Sequence, residues 1–319
     1  MIEPDSAGSK ADGCARQPQN TAMPSSQPAP EVTIVLPAYN EGLRLCETLA
    51  AIRDTVNISY QTIVVNDGST DSCCDFLRMD PSAFEDVLLV DLPNRQGVAY
   101  ARNLGASHAQ APILIAMDAH CLPRPGWLQQ LLHELQHPGV GIVAPQISSV
   151  ECPSATAFGL TIRDRELGVG WLHRQGNKPY PVPMAGCACI AMTREFFEAV
   201  GRFDVFRSYG MEDVELCIRC WLLGYSVMMV PEAVVAHWFK KEPFSVGWHD
   251  FLYNRMRTAV LHFDGDRLER ILTSLKSKPA FADAVTTLFA SDIWTRRQFV
   301  RESRMHDGEW FCKKFGINL

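Results

Sequence analysis

The chain has 319 residues, 47% of them hydrophobic, which suits one large α/β domain with an appendage and excludes bulk disorder. A formal net charge of −6 excludes the basic footprint of a nucleic-acid binder. No stretch approaches ~18 uncharged apolar residues, so no integral membrane segment is expected. The opening Met1-Ile2-Glu3-Pro4-Asp5 lacks the basic start and apolar core of a secretory signal, so the expected location is cytoplasmic. The eleven cysteines then read as reduced and mostly buried thiols. Cys217 and Cys220 have zinc-like spacing, but no second pair lies at zinc-finger distance and both fall inside a helical pattern, so they read as core.

Residues 1–30 are rich in Ser, Pro, Gln, Ala and Gly without an apolar period and read as a disordered tail. Residues 32–36 form a β-branched run ended by Pro37, a central strand. Leu45, Leu49 and Ile52 recur at helical spacing. A second strand over 62–65 stops at Asn66-Asp67-Gly68-Ser69, a turn signal. Strand 87–90, helix 97–108, strand 113–117, helix 127–135 and strand 140–144 follow. This alternation predicts right-handed crossovers and a mostly parallel sheet flanked by helices. Residues 146–183 read as excursions over the sheet. Residues 184–192 are small and apolar and predict a strand, with Thr193 capping the next helix. Glu212-Asp213 opens a helix whose Val214, Cys217, Ile218 and Trp221 share a face. A strand over 226–230 precedes His237, and from 243 onward helical patterns break near Gly265 and Pro279.

Ligands of such sheets bind outside the carboxyl ends of the strands. Those ends carry Tyr39-Asn40-Glu41, Asn66-Asp67, Asn94-Arg95 and Asp118-Ala119-His120. Neither G-x-G-x-x-G nor G-x-x-x-x-G-K-[ST] is present, so a nucleotide here needs metal help rather than a glycine loop. A carboxylate and an imidazole two residues apart face the same way when the chain leaves the sheet extended. Asp118 with His120 suits Mn²⁺ or a comparable divalent ion holding a diphosphate; a capped loop has the same pattern.

Val35-Leu36-Pro37-Ala38-Tyr39-Asn40-Glu41, Val65-Asn66-Asp67-Gly68-Ser69-Thr70-Asp71 and the Asp118 triplet resemble the nucleotide-sugar half of GT-A glycosyltransferases, family 2 in particular. Gly126-Trp127-Leu128, Met184-Ala185-Gly186, Gly201-Arg202-Phe203-Asp204, Tyr209-Gly210-Met211-Glu212-Asp213-Val214-Glu215-Leu216 and residues 231–237 resemble the catalytic domain of polypeptide N-acetylgalactosaminyltransferases. The resemblance spans about residues 31–240 and implies a Rossmann-like GT-A domain over 31–242, with a helical extension over 243–319 on the acceptor side. It implies donor binding by Pro37, Ala38, Tyr39, Glu41, Asn66, Asp67, Gly97, Arg102, Asp118, Ala119, Met184, Ala185 and Gly186, with the Asp67 carboxylate meeting uracil. It implies a Mn²⁺ or Mg²⁺ site of Asp118, His120 and His237, and Asp213 as the base beside Glu212.

Each assignment has a plainer reading. Asp67 before glycine is an ordinary turn former, and Glu41 an acid at the first turn of a helix. Arg102 reads nearly as well as a surface salt-bridge partner, His237 as a core histidine, and Glu212 and Asp213 as helix-start acids. Trp171, Trp238 and Trp248 could stack on a sugar or acceptor, and the plainer reading of each is packing. The animal members carry a membrane anchor, a stem and a C-terminal lectin module, and this chain reads as lacking them. Where they have Glu-Asn it has Glu212-Asp213, as inverting family-2 enzymes do.

The expected activity is metal-dependent transfer from a UDP-sugar to an acceptor hydroxyl or thiol, with inversion through Asp213. The acceptor is a peptide or protein, or else a saccharide or small metabolite. The alternatives are a retaining N-acetylgalactosaminyltransferase-like enzyme and a non-catalytic nucleotide-sugar binder. A nucleotidyltransferase would want a glycine-rich phosphate loop with a cation near the first strand, which is absent.

Overall fold

The structure, a computed structural model, describes residues 29–239 and 246–319. The tail read over 1–30 lies, up to residue 28, outside the described residues. Strand β1 (Val32–Ala38) is buried almost throughout, as befits a strand covered on both faces. After α1 (Arg44–Thr55) come β2 (Tyr60–Asn66), the short α2 (Asp75–Met79) and β3 (Val87–Asp91). Helix α3 (Val98–Ser107) then leads to β4 (Ile113–Met117). β1 pairs in parallel with β2 and β4, and β2 with β3. α3 lies close on this half because Gly105 has no side chain; a Cβ there would sit 2.3 Å from Val35 Cγ1.

Next follow β5 (Cys121–Pro123), α4 (Trp127–Leu135) and β6 (Val140–Ser149). Four short strands follow: β7 (Thr156–Ala157), which pairs with β6, β8 (Leu160–Ile162) and β9 (Val169–Trp171), which form a separate two-stranded ribbon, and β10 (Tyr180–Pro181), which pairs with β12. β11 (Cys189–Thr193) inserts antiparallel between β4 and β6. α5 (Arg194–Ala199) and α6 (Glu212–Leu222) precede β12 (Ser226–His237), which runs parallel to β6 and antiparallel to β5. The sheet order is β10-β12-β6-β11-β4-β1-β2-β3. The expected parallel half is therefore joined to a mixed half.

Three predicted strands change extent. The strand over 140–144 runs on to Ser149, taking the first of the residues read as excursions into the sheet, because residues 146–149 pair with residues 234–237. Of residues 184–192 only the end belongs to β11, and Met184 makes one isolated bridge to Leu160. The backbone of Cys187 is spent elsewhere, its N–H on Asp213 and its carbonyl on Arg102, which takes the segment out of the ladder. The strand over 226–230 does not stop at Pro231. It passes a register shift between Val230 and Val234 and runs on to His237, proline being tolerated at such an irregularity.

The remaining helices are α7 (Trp248–His262), α8 (Gly265–Leu275), α9 (Phe281–Phe289), α10 (Ile293–Ser303) and α11 (Gly308–Phe315). Leu252, Met256 and Ala259 of α7 share one apolar core with Val214, Leu216 and Ile218 of α6. Cys217 and Cys220 are fully buried in that core, and the ten cysteines among the described residues are free. Among the described residues no helix is long and apolar enough to cross a membrane.

Candidate active site

Ala38, Asp67 and Asp118 stand at the carboxyl ends of β1, β2 and β4, where three parallel strands open onto one cavity of about 300 Å³. Its walls include Pro37, Tyr39, Glu41, His120 and His237 of the expected set, together with Arg95 and Tyr209. The Asp67 N–H donates to the Ala38 carbonyl at 2.9 Å. Its carboxylate accepts the N–H groups of Gln96 (2.6 Å) and Gly97 (2.9 Å), clamping the turn into α3. Burial pushes this carboxyl above its ordinary pKa, against the pull of those two amides and of Arg95. Two of its lone-pair sites stay open, since a carboxylate offers about four.

Arg95 lays its guanidinium 4.2 Å from the Tyr39 ring centre. Gly97 is not in the cavity wall. It holds φ +98° with the Ser208 carbonyl 2.8 Å from where a Cβ would be, so only glycine lets the two loops meet. Asn66 also stands back, bonded to Asp91 (2.7 Å) and to the Ser69 N–H (3.0 Å).

His120 leaves β4 by a short turn, and the β5–β12 pairing sets His237 opposite Cys121, bringing the two imidazoles to 4.7 Å between ring centres. One ligand atom each from Asp118, His120 and His237 lie within 4.8 Å of one another. His237 Nε2 is 3.3 Å from Asp118 Oδ2. His120 Nδ1 is 2.9 Å from Glu41 Oε2. A carboxylate only accepts, so Nδ1 carries the proton and Nε2 keeps its lone pair for a metal. Glu41 is thus tied to a ligand as well as lining the cavity. Burial would raise the Asp118 carboxyl, but the His237 hydrogen bond and Arg102 hold it well below the usual carboxylate range. Ala119 is buried in the core and supplies the spacing between the two ligands.

Arg102 is not free to bind phosphate. It is 2% exposed. Nη1 donates to Glu212 Oε1 at 2.9 Å, and Nη2 to Asp118 Oδ1 at 2.7 Å and the Cys187 carbonyl at 3.2 Å. The side chain is an internal strut between the metal acid and the acid at the start of α6. Glu212 also accepts the Gly210 N–H at 3.0 Å; burial and the neighbouring Asp213 push it up to about 7.

Asp213 accepts the Cys187 and Val214 N–H groups (3.3 and 2.8 Å), and burial raises its pKa as well. It lines a second cavity of about 470 Å³ that shares Asp118, Tyr209, His237, Phe239 and Val246 with the first. The two form one cleft. Gly186 and Trp171 stand in the wall of this second part; Met184 and Ala185 are buried behind it. A Cβ on Gly186 would lie 3.6 Å from Trp171 and 3.8 Å from Asp213 Oδ2, so the bare glycine leaves open the space between them. Trp238 lies under Arg44 and Trp248 against Phe251, outside both walls.

Residues 33–201, more than half of the chain, match the family described as glycosyl transferase family 2. The chain belongs to glycosyl transferase family 2. This family-2 glycosyltransferase is 27% identical over 311 residues to polypeptide N-acetylgalactosaminyltransferase 6 of Bos taurus, covering 89% of the chain and 49% of that protein. It is 28% identical over 290 residues to polypeptide N-acetylgalactosaminyltransferase 11 of Xenopus tropicalis, covering 82% of the chain and 46% of that protein. The chain spans about half the length of the curated relatives it matches. In fold it resembles the crystal structure of GalNAc-T7 with UDP, GalNAc and Mn²⁺, with TM-score 0.76 and 18% identity over 90% of this chain and 57% of that one. The mannosyltransferase PcManGT of Pyrobaculum calidifontis, in complex with GDP-Man and Mn²⁺, matches with TM-score 0.53 and 20% identity over 95% and 87%.

The glycosyltransferase cleft also holds residues to which no sequence reading gave a role. Arg95 stood in a strand exit, a signal that was there to use. Tyr209 lay inside a quoted motif. Phe239 and Arg255 had no local signal, because they reach the cleft from beyond β12 and from the middle of α7.

Proposed function

We propose that this glycosyltransferase moves a sugar from a UDP-sugar to a hydroxyl on a peptide or protein, using one Mn²⁺ or Mg²⁺ held by Asp118, His120 and His237. The observation that carries the reading is the convergence of those three ligand atoms within 4.8 Å, in a cleft that also contains Asp213. One carboxylate with two imidazoles suits Mn²⁺, and a histidine anchored through its other nitrogen is the usual partner of a bound metal. When bound, such an ion neutralises the charge of the departing diphosphate. The names of the relatives support the peptide acceptor, and the UDP and Mn²⁺ of the GalNAc-T7 crystal support the donor and the ion.

In this reading the backbone at Pro37 and Ala38 and the open lone pairs of Asp67 receive the uracil, with Tyr39 and Arg95 beside them. Gly186 backs the donor sugar. Asp213 takes the proton from the acceptor hydroxyl as the new bond to the anomeric carbon forms and the bond to the diphosphate breaks, which inverts the anomer. Burial raises its pKa, which makes the carboxylate a stronger base. Glu212, committed to Arg102 and Gly210, is a positioning group. Residues 31–242 then form the catalytic part, while Phe251 and Arg255, which line the second cavity, support an acceptor role for the helices from 243. The ten cysteines among the described residues are free and eight of them are buried, which supports a reducing, cytoplasmic setting.

The test is release of UDP from a panel of UDP-sugars with and without Mn²⁺, followed by NMR of the product. Asp118→Ala is expected to abolish both Mn²⁺ binding and metal-dependent turnover. Asp213→Asn is expected to bind donor and fail to transfer. Transfer by Asp213→Asn at the parent rate would remove the base assignment, a retained anomer would replace inversion by the retaining route, and a mere binder would release no UDP.

A further inference from the structure

We propose that Arg255 selects acceptor peptides that carry a carboxylate side chain near the reacting hydroxyl. This rests on the peptide-transferase reading and adds a substrate class to it. Arg255 lies on α7, half-buried, in the wall of the cavity that holds Asp213. Its Nε donates to the Glu166 carbonyl at 2.8 Å, and its guanidinium lies 3.6 Å from the ring centre of Phe251, one turn earlier on the helix. Those two contacts fix the plane of the group. Among the described residues neither terminal amino group has a hydrogen bond or ion-pair partner.

The nearby acids do not fill that role. Glu166 gives its carboxylate to Lys278 Nζ at 2.8 Å. Asp164 accepts the N–H groups of Glu166 (2.9 Å) and Gly168 (2.8 Å). The other arginine of the cavity, Arg102, is consumed by Asp118 and Glu212. Elsewhere, buried guanidinium groups have carboxylate partners, as Arg219 has Glu215 and Arg257 has Asp204.

A fixed cation withdrawn partly from water, on which Asp164 and Glu166 act only through space and not through a hydrogen bond, is costly. A carboxylate arriving with the ligand offsets that cost, and the planar fork matches it with two parallel hydrogen bonds. Leu160, Val169 and Phe251 in the same wall are apolar, so the pair forms where water competes poorly.

The test needs no turnover. Labelled threonine peptides carrying glutamate, or glutamine in its place, at each flanking position are bound to the full chain in the presence of UDP and Mn²⁺, and their Kd values are compared. The parent is expected to favour glutamate about tenfold at one or two positions, the size of a charge-assisted hydrogen bond. Arg255→Gln should erase that ratio with its melting temperature kept, and Arg255→Lys should retain part of it. Parent Kd values indifferent to the substitution at every position, or a ratio that survives Arg255→Gln, overturn the proposal. UDP release from the UDP-sugars in the presence of the bound peptides and Mn²⁺ is measured in parallel. Its absence together with an intact binding ratio refutes the transferase reading and leaves the selectivity standing.

Discussion

Replacing Arg102 by methionine tests the internal strut. The substitution keeps a long apolar stem facing Phe203, whose ring centre lies 5.6 Å from the guanidinium carbon. It deletes the bonds to Asp118, Glu212 and the Cys187 carbonyl. The Glu212 side chain is 3% exposed, so water cannot replace the lost partner. Removing one member of a buried ion pair costs about 3–5 kcal/mol, a large part of the roughly 5–15 kcal/mol that holds a domain folded.

The pH dependence separates this from simple loss of packing. An acid whose folded pKa lies above its unfolded value binds a proton on folding, so stability falls as pH rises between the two. For Glu212 that window runs from 4.5 to about 7 in the parent. Without Arg102 the upper edge moves higher. Below it the two proteins share the same protonation of Glu212, and the deficit is flat. Between the parent's edge at about 7 and its own higher edge, the variant keeps losing stability, about 1.4 kcal/mol per pH unit, where the parent has levelled off. Urea titrations at about pH 6 and about pH 8.5 read this directly, and adding Glu212→Gln to the variant should remove the growth. A deficit equal at the two pH values, or below about 1 kcal/mol, would refute the strut.

Two further outcomes follow from the geometry. Glu41→Gln leaves the shape of the contact to His120 Nδ1 but removes the charge that orients the ring; Mn²⁺ affinity measured by titration calorimetry should fall about tenfold. An unchanged affinity would mean that Glu41 only lines the cavity. Gly97→Ala forces a Cβ to within 2.8 Å of the Ser208 carbonyl at φ +98°. It should cost about 1–3 kcal/mol and weaken UDP binding by loosening the amide that Asp67 grips. Unaltered melting and UDP affinity would count against the clamp.

The half of the sheet around β1 was legible because each of its strands is a buried run bounded by turn residues. Asp67, Asp118 and His120 were legible because they sit at the exits. What escaped depended on partners far along the chain. The small apolar run from Met184 has the composition of a strand, yet Cys187 gives its backbone groups to Arg102 and Asp213, 85 and 26 residues away. Pro231 has the look of a stop, and only the pairing with β6 shows that the strand resumes and delivers His237. The role of Arg102 was partly readable. Ala99, Ala101, Gly105 and Ala106 mark the buried face of α3, and Arg102 falls on that face, three residues before the glycine that packs on Val35. An arginine on an inward helical face needs buried acids as partners, and a phosphate is not the first candidate.

That placement has a consequence for the cleft as a whole. In the proposed function the donor end is assembled from the exits of β1, β2 and β4, and the acceptor end from α6, α7 and the segment before β11. One guanidinium joins the two by holding Asp118 on one side and Glu212, next to Asp213, on the other. The same guanidinium meets the start of α6, where Met211 sits at φ +76°, a conformation a non-glycine residue adopts only when its surroundings impose it. In the proposed function, binding of ion and diphosphate at Asp118 and placement of Asp213 against the acceptor hydroxyl both depend on this one buried charge network. Variants of Arg102 should accordingly weaken Mn²⁺ affinity and transfer together, whereas variants of Arg255 leave Mn²⁺ affinity untouched.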